Sequence, residues 1–552
     1  MASHFALRLQ PDPDRDAARV SAELLDLVQQ ATAQEVVLFA FAEDMNDGHP
    51  SLAEIEAWLS WSRPIRQTLQ AAGVVVSLNP WQTLLHADRG RRLRPDQDWQ
   101  TLVDARGTRC TACVCPLDPG WQQYFTEALN RYAVEGFDTI WIEDDIRLHN
   151  HAPLEWGGCF CPLHLALFAH RTAVAVTRQE LVTRCTAPGP PHPWRGLWLD
   201  CWDDTLRTLV CGWRDLVEAQ GGRLGLMSSG MDAHAAEGRD WPQWWTALGQ
   251  QRPPVHRPHF WAYGDVMGPW LATGMVMLDQ NRWIQSPRAE CRPEVDSFPD
   301  GPWNRSSRQL GAQLALAHIL GADGLNLVLH GFLGNPPADE PERAACLRAW
   351  HPVCDWLQSE FAGLRPLGIG LPWDPGMSRR VHTDGSGRWG SLEVPTRGWV
   401  GWLAGAGLPC TGRPGHQVNA LAGSLAWCFD DDQLLDWLAH GCLLDGPAAH
   451  ILCERGLGQL IGLEAATLVA REDLRCAMEQ YRDRLPAAET GRRATLNLGP
   501  FADRLLRFEP AAGAAVVSDL VDAHGRTVGP GALIYGNRLG GRVALVPWTA
   551  AA

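Results

Sequence analysis

The chain has 552 residues, with 48 basic against 63 acidic side chains and a net charge of −15. Hydrophobic residues make up 45% and charged residues 20%, the balance of a globular protein with several domains' worth of core. The acidic excess argues against nucleic acid as a partner, and the absence of any lysine excludes Schiff-base and phosphate-loop lysine chemistry.

No apolar run reaches 18 residues, so no membrane span is expected. The N-terminal text MASHFALRLQPDPD lacks the apolar stretch of a secretory signal, and the sixteen cysteines are too dispersed for a disulfide scaffold. A reducing, cytoplasmic setting is the expectation. Tryptophan is the outlier, 27 against 5 tyrosines. Core packing accounts for most of them, and a few could stack on the apolar faces of sugar rings.

In chain order, HFALRLQ (4–10) reads as a first strand, and 14–32 has helical spacing. EVVLFAFAED (35–44) is a buried-type strand ending in acids, followed by an amphipathic helix over 51–73 and a third strand, GVVVSLNPW (73–81). A helix at 121–136 precedes FDTIWIEDD (137–145), the fourth strand. GGRLGLMSSG (221–230) is the fifth, RPHFWAYGD (257–265) the sixth, and AECRPEVD (289–296) lies where a seventh belongs. Helix 306–324 then leads into LNLVLHG (325–331). Eight strands alternating with helices predict a (β/α)8 TIM barrel over 1–365. A doubly wound sheet is the alternative, weakened because no GxGxxG follows an early strand. A smaller flavodoxin-like α/β domain (366–488) and a short C-terminal β domain (489–552) are expected after it.

Active sites in such barrels lie at the C-terminal strand ends. Those ends carry Glu43-Asp44, Asn79, Glu143-Asp144-Asp145, Ser228-Ser229, Tyr263 and Glu294. Glycosidic cleavage needs one carboxylic acid for the leaving oxygen and one carboxylate for the anomeric carbon. Glu143 and Glu294 are the candidates. Asp145, placed by strand alternation on the same side as Glu143, is the runner-up for the first role, and Glu290 for the second. Ser228-Ser229-Gly230 with His234 lacks the G-x-S-x-G setting of a serine hydrolase.

Cysteine spacing is the sharpest local signal. Cys159-x-Cys161-x2-His164 lies downstream of Cys110-x2-Cys113-x-Cys115, and thiolates with an imidazole are the ligands of a closed zinc site. His149 and His151 are rival ligands, more in keeping with surface histidines.

VCPLDPGWQQY (114–124), a helix, an acid-ended strand and then GCFCPLH (158–164) resemble the family-42 β-galactosidases of the large glycosidase clan. LALAHILGADGLNLVLHGF (314–332) resembles that family's passage into strand eight. The β-mannosidases of family 164 resemble the same plan. The resemblance implies a retaining exo-β-glycosidase with a carbohydrate substrate, a homotrimer, and a structural zinc on Cys115, Cys159, Cys161 and His164. It implies a glutamate after an asparagine at the end of strand four, but the text here is WIEDDI (141–146), with no Asn-Glu pair. The acid/base role therefore moves to Glu143, and Glu294 takes the nucleophile's place at the end of strand seven. Substrate-binding candidates are Asp44, Asp145, Arg147, Trp261, Tyr263 and Trp303, with Trp81 as a further stacking residue. A sugar-binding barrel without turnover, and a zinc-dependent hydrolase of another class, are the two rival functions.

Overall fold

The computed structural model describes residues 3–265, 269–298, 301, 303–331, 333–413, 417–482, 491–496 and 503–550. The chain forms two compact units, one of residues 1–187, 192–365 and 385–390, the other of 188–191, 366–384 and 391–552.

The first unit is an (β/α)8 barrel. Its parallel strands are β1 (His4–Leu9), β2 (Glu35–Ala40), β3 (Val75–Pro80), β4 (Thr139–Ile142), β5 (Arg223–Met227), β6 (Val255–Arg257), β7 and β8 (Gly324–Val328). Strand β7 is split at Arg292-Pro293. Its first piece, Glu290–Cys291, pairs with β6, and its second, Glu294–Asp296, pairs with β8, which pairs with β1. The barrel therefore closes through one broken strand, and Pro293, which has no N–H to give the ladder, sits at the break.

Strand β6 starts earlier than RPHFWAYGD suggests. Pro254 and Pro258 bracket a three-residue strand, and His259, Phe260 and Trp261 follow in a loop. Apolar character alone could not mark that boundary. The helices α1 (Ala17–Ala31), α2 (Leu52–Ala71), α3 (Pro119–Ala133), α4 (Pro162–Thr172) and α5 (Pro193–Ala219) start on Ser or Asp caps or on an N1 proline. Helix α2 has a full capping box, Ser51 with Glu54.

Period-two alternation stacks the barrel interior in layers. At the N-terminal end Glu35 joins His4 (2.7 Å) and Arg292 (2.6 Å), and Glu290 joins Arg292 and Arg223. The middle layer is apolar: Ala6, Val37, Trp141, Met227 and Val255 form one buried cluster. Gly225 faces the Trp141 indole so closely that a Cβ there would lie 2.4 Å from it. Above this plug, toward the C-terminal end, the interior turns polar again.

In the second unit, Cys410–Thr411, Ile369–Gly370, Asn419–Leu421 and Gly441–Leu444 are parallel neighbours. The stretch expected as a terminal β domain adds to this sheet. Arg542–Leu545 pairs parallel with Gly441–Leu444, and Leu533–Gly536 and Ala515–Val516 continue it antiparallel. Among the described residues no helix is long and apolar enough to cross a membrane.

Candidate active site at the barrel mouth

The polar upper layer is built from five strands. Arg8, two residues beyond Ala6 on β1, is wholly buried and reaches across the barrel. Its Nη2 donates to Asn79 Oδ1 (2.8 Å) at the end of β3 and to Glu143 Oε2 (3.2 Å) just after β4. Its Nη1 lies 3.8 Å from Asp296 Oδ2 on β7, and its guanidinium packs 4.6 Å from the Phe39 ring centroid. Arg257, ending β6, sets one nitrogen on two carboxylates, 3.0 Å from Glu294 Oε1 and 2.9 Å from Asp296 Oδ2. The result is an unbroken chain, Glu143–Arg8–Asp296–Arg257–Glu294, across the barrel mouth.

Electrostatics separates these groups. Burial, reinforced by the like charge of Glu294, pushes the Asp296 carboxyl up to about 7 despite Arg257 and Arg8. Burial lowers the Arg8 pKa, with Arg257 adding to the effect and Glu143 opposing it. Tyr263 hydrogen-bonds His259, and His259 Nε2 is 3.6 Å from Glu294 Oε2. Burial and the neighbouring Glu294 carboxylate drive the Tyr263 hydroxyl well above its ordinary value.

A second layer stands on the β4 side. His86 Nε2 is 2.6 Å from Asp144 Oδ1, and Arg147 Nη1 is 2.7 Å from Asp144 Oδ2. Burial alone would lower the His86 pKa, but the Asp144 hydrogen bond and charge raise it. Trp81 Nε1 donates to Glu43 Oε2 (2.8 Å), and its ring lies 5.2 Å from that of His86. Arg147 also donates to Ser229 Oγ (3.2 Å), which meets His149 Nε2 (3.1 Å), and Glu237 carries both His149 and His234. His149 and His151 are thus buried, not on the surface. Both nitrogens of His151 bond backbone carbonyls, those of Leu85 and Arg147.

The structure brings together Glu143, Glu294 and Tyr263, and it sends several other expected residues elsewhere. Asp145 is fully buried, with Oδ2 accepting the N–H groups of Thr83 (2.8 Å) and Leu85 (2.7 Å). It anchors the loop after β3 instead of facing a sugar, because β4 ends at Ile142 and strand alternation no longer applies to it. Burial pushes its carboxyl up to about 6. Glu290 belongs to the ion cluster at the opposite end of the barrel. Asp44 is largely exposed, 3.7 Å from Arg89. Trp303 is 95% exposed, and Trp261 packs on Trp270 and His259. Arg8, Arg257, His86, His259 and Asp296 were missed. The available signal was a charged residue at an inward position of an apolar strand, as at Arg8, and period two from Glu294 to Asp296.

Cys115, Cys159, Cys161 and His164 are all buried, with ligand atoms within 4.8 Å of one another. Cys115 Sγ is 3.5 Å from Cys161 Sγ and 3.4 Å from His164 Nδ1, and Cys161 Sγ is 3.7 Å from that nitrogen. Donors about 2.3 Å from a tetrahedral zinc sit roughly 3.7 Å apart, so the cluster fits one ion. Cys115 follows the hairpin Thr101–Val103/Arg109–Val114, Cys159 and Cys161 lie just before α4, and His164 is in its first turn. Cys110 and Cys113 stand apart beside Asp88, whose oxygens accept the N–H groups of Thr111, Ala112 and Cys113.

No family model matches the chain, and no curated protein matches its sequence. Solved structures do. The β-galactosidase of Rahnella sp. R3 aligns over 99% of this chain and 86% of its own, with a TM-score of 0.59 and 12% identity. The β-galactosidase of Bacillus circulans sp. alkalophilus covers the same shares at 0.58 and 12%. The α-L-fucosidase isoenzyme 2 of Paenibacillus thiaminolyticus aligns over 99% and 80%, at 0.58 and 12%. What they share is the fold. The TIM-barrel architecture expected from the strand and helix pattern is therefore established on two grounds, the closed sheet and these neighbours.

Proposed function

We propose that the chain is a glycoside hydrolase, and more specifically a retaining exo-β-glycosidase acting on a terminal β-linked galactoside or mannoside. The observation that carries this reading is the pair Glu143 and Glu294, just after β4 and on β7, joined through Arg8, Asp296 and Arg257 at the barrel mouth. Glu294 attacks the anomeric carbon while Glu143 gives its proton to the leaving oxygen. Glu143 then takes a proton from water as that water releases the sugar from the Glu294 ester. Arg257 holds the attacking carboxylate, with His259 beside it and steadied by Tyr263, and Arg8, itself held by Asn79, keeps Glu143 in place.

The four-residue thiolate–imidazole cluster supports a structural zinc, because four protein donors leave no open position for water. That speaks against a catalytic zinc at this cluster. The metal would clip the hairpin to the start of α4. The homotrimer and the cytoplasmic setting rest on the family resemblance and on cysteine usage. Light scattering of the purified chain checks the trimer.

The test is p-nitrophenol release from a panel of β-glycosides. Wild type should turn over one sugar class, and Glu294→Gln should abolish it. Glu143→Gln should lose on the order of 10² to 10⁴ in rate, the range for a missing general acid, with the smaller loss on better leaving groups. Sugar binding without turnover would establish the binding-barrel alternative.

A further inference from the structure

We propose that Asp296 is a positioning residue that works as a neutral acid, its carboxyl proton donated to Glu294 so that the two form one proton-sharing pair on Arg257. The inference rests on the glycosidase reading for its kinetic consequence, but not for the pair itself.

Glu294 and Asp296 are two residues apart on the second piece of β7, so both side chains point into the barrel. Glu294 Oε1 and Asp296 Oδ2 approach the same Arg257 nitrogen, at 3.0 Å and 2.9 Å, which brings the two carboxyl groups side by side on one cation. Two ionised carboxylates crowded on one buried nitrogen repel each other, and a site of this kind favours one proton held between them. Asp296 is the member that carries it. Asp296 Oδ1 is buried with no hydrogen-bond partner among the described residues, an expensive state for an ionised oxygen and a cheaper one for a carboxyl group. Burial drives the same group toward its neutral form. The charged and titratable groups facing Asp296 are Glu294 on its own strand, Arg8 and Arg257 on β1 and β6, and His259 and Tyr263 on the loop after β6. Arg305 completes the set, its Nη1 donating to the Asp296 carbonyl (2.8 Å). With Asp296 neutral, the Arg257 charge is matched by Glu294 alone and the attacking oxygen keeps one geometry. When Asp296 ionises, it competes for Arg257 and repels Glu294. No bond to Asp296 forms or breaks during turnover, and its proton stays in the pair.

The experiment has two readouts. The first is the infrared difference spectrum of unliganded wild type minus Asp296→Asn, taken across pH. A protonated-carboxyl C=O band should be present at pH 5 and vanish as the pH passes neutrality. In Glu294→Gln the like charge is gone, so the band should vanish at lower pH. No such band, or one whose titration ignores Glu294→Gln, overturns the inference. The Glu294→Gln comparison also serves if Asp296→Asn fails to fold. The second readout is the pH profile of kcat/KM. Asp296→Asn keeps the donor to Glu294 but cannot ionise, so its ratio of activity at pH 8 to that at pH 5 should exceed the wild-type ratio by about tenfold. An unchanged ratio overturns the kinetic role. A carboxyl band in a chain that cleaves no glycoside leaves the pair standing and removes the glycosidase reading instead.

Discussion

Two buried arginines do most to organise the barrel mouth, and they do it differently. Arg257 holds two carboxyl groups on one nitrogen, whose two N–H bonds are fixed in the plane of the guanidinium. Arg257→Lys keeps the charge but replaces those fixed in-plane donors with an ammonium on a flexible stem. A fall of about 10²-fold in kcat, with KM little changed, is expected. Steady-state kinetics on the cleaved glycoside checks it. Arg8 is flanked by Phe39, Asn79 and Glu143 and lies 3.8 Å from Asp296, so removing it strips the buried polar layer of its central cation. Arg8→Met should cost on the order of 3 to 5 kcal/mol in folding free energy, the range for breaking a buried pair. Denaturant unfolding measures this.

Among the elements, the barrel was legible in the order of its strands because each apolar run is separated from the next by a helical repeat. The sites were less so. Period two carries Ala6 to Arg8 and Glu294 to Asp296, yet an arginine in a strand reads locally like any surface residue. Its burial becomes visible only when β4 and β7 come round to meet it. Asp145 failed for the opposite reason, since alternation was extended past Ile142 into a loop that follows its own hydrogen bonds. The middle layer supplies a prediction at this scale. Gly225→Ala on β5 would drive a methyl into the Trp141 indole, and a loss of roughly 1 to 3 kcal/mol is expected from overpacking. A neutral result in thermal unfolding would mean that Trp141 can shift. The zinc proposed for the Cys115–Cys159–Cys161–His164 cluster supplies another: elemental analysis should find near one zinc per chain in wild type, and Cys161→Ser should lower it toward zero.

For the whole molecule, the two ends of the barrel respond to pH in opposite senses. At the lower end burial would raise the Glu35 carboxyl, but Arg292 and His4 hold it at about 2. A depressed carboxyl contributes stability that is present above its unfolded value and lost as pH falls through the folded one. From 4.5 down to about 2 that amounts to about 3 kcal/mol at most, so Glu35→Gln should be less stable than wild type at pH 6 and converge with it near pH 2. At the upper end Asp296 and Asp145 are raised, to about 7 and about 6. Their contribution is full below the ordinary aspartate value and is lost as pH climbs through 6 to 7. Asp296→Asn should therefore flatten the decline in melting temperature between pH 5 and pH 8.

The cysteine–histidine cluster has one more consequence, an optical one. Phe160, between Cys159 and Cys161, stacks on Trp198 and meets Trp202 and Trp389 edge-on, while Trp202 Nε1 donates to the Cys159 carbonyl (3.2 Å). His164 lies 6.3 Å from Trp198. Loosening of these thiols would move indoles that are otherwise buried. The intrinsic emission of the chain is thus a built-in gauge of whether the clip is fastened, readable without a label in a protein whose lack of lysine leaves amine-reactive dyes almost nowhere to attach.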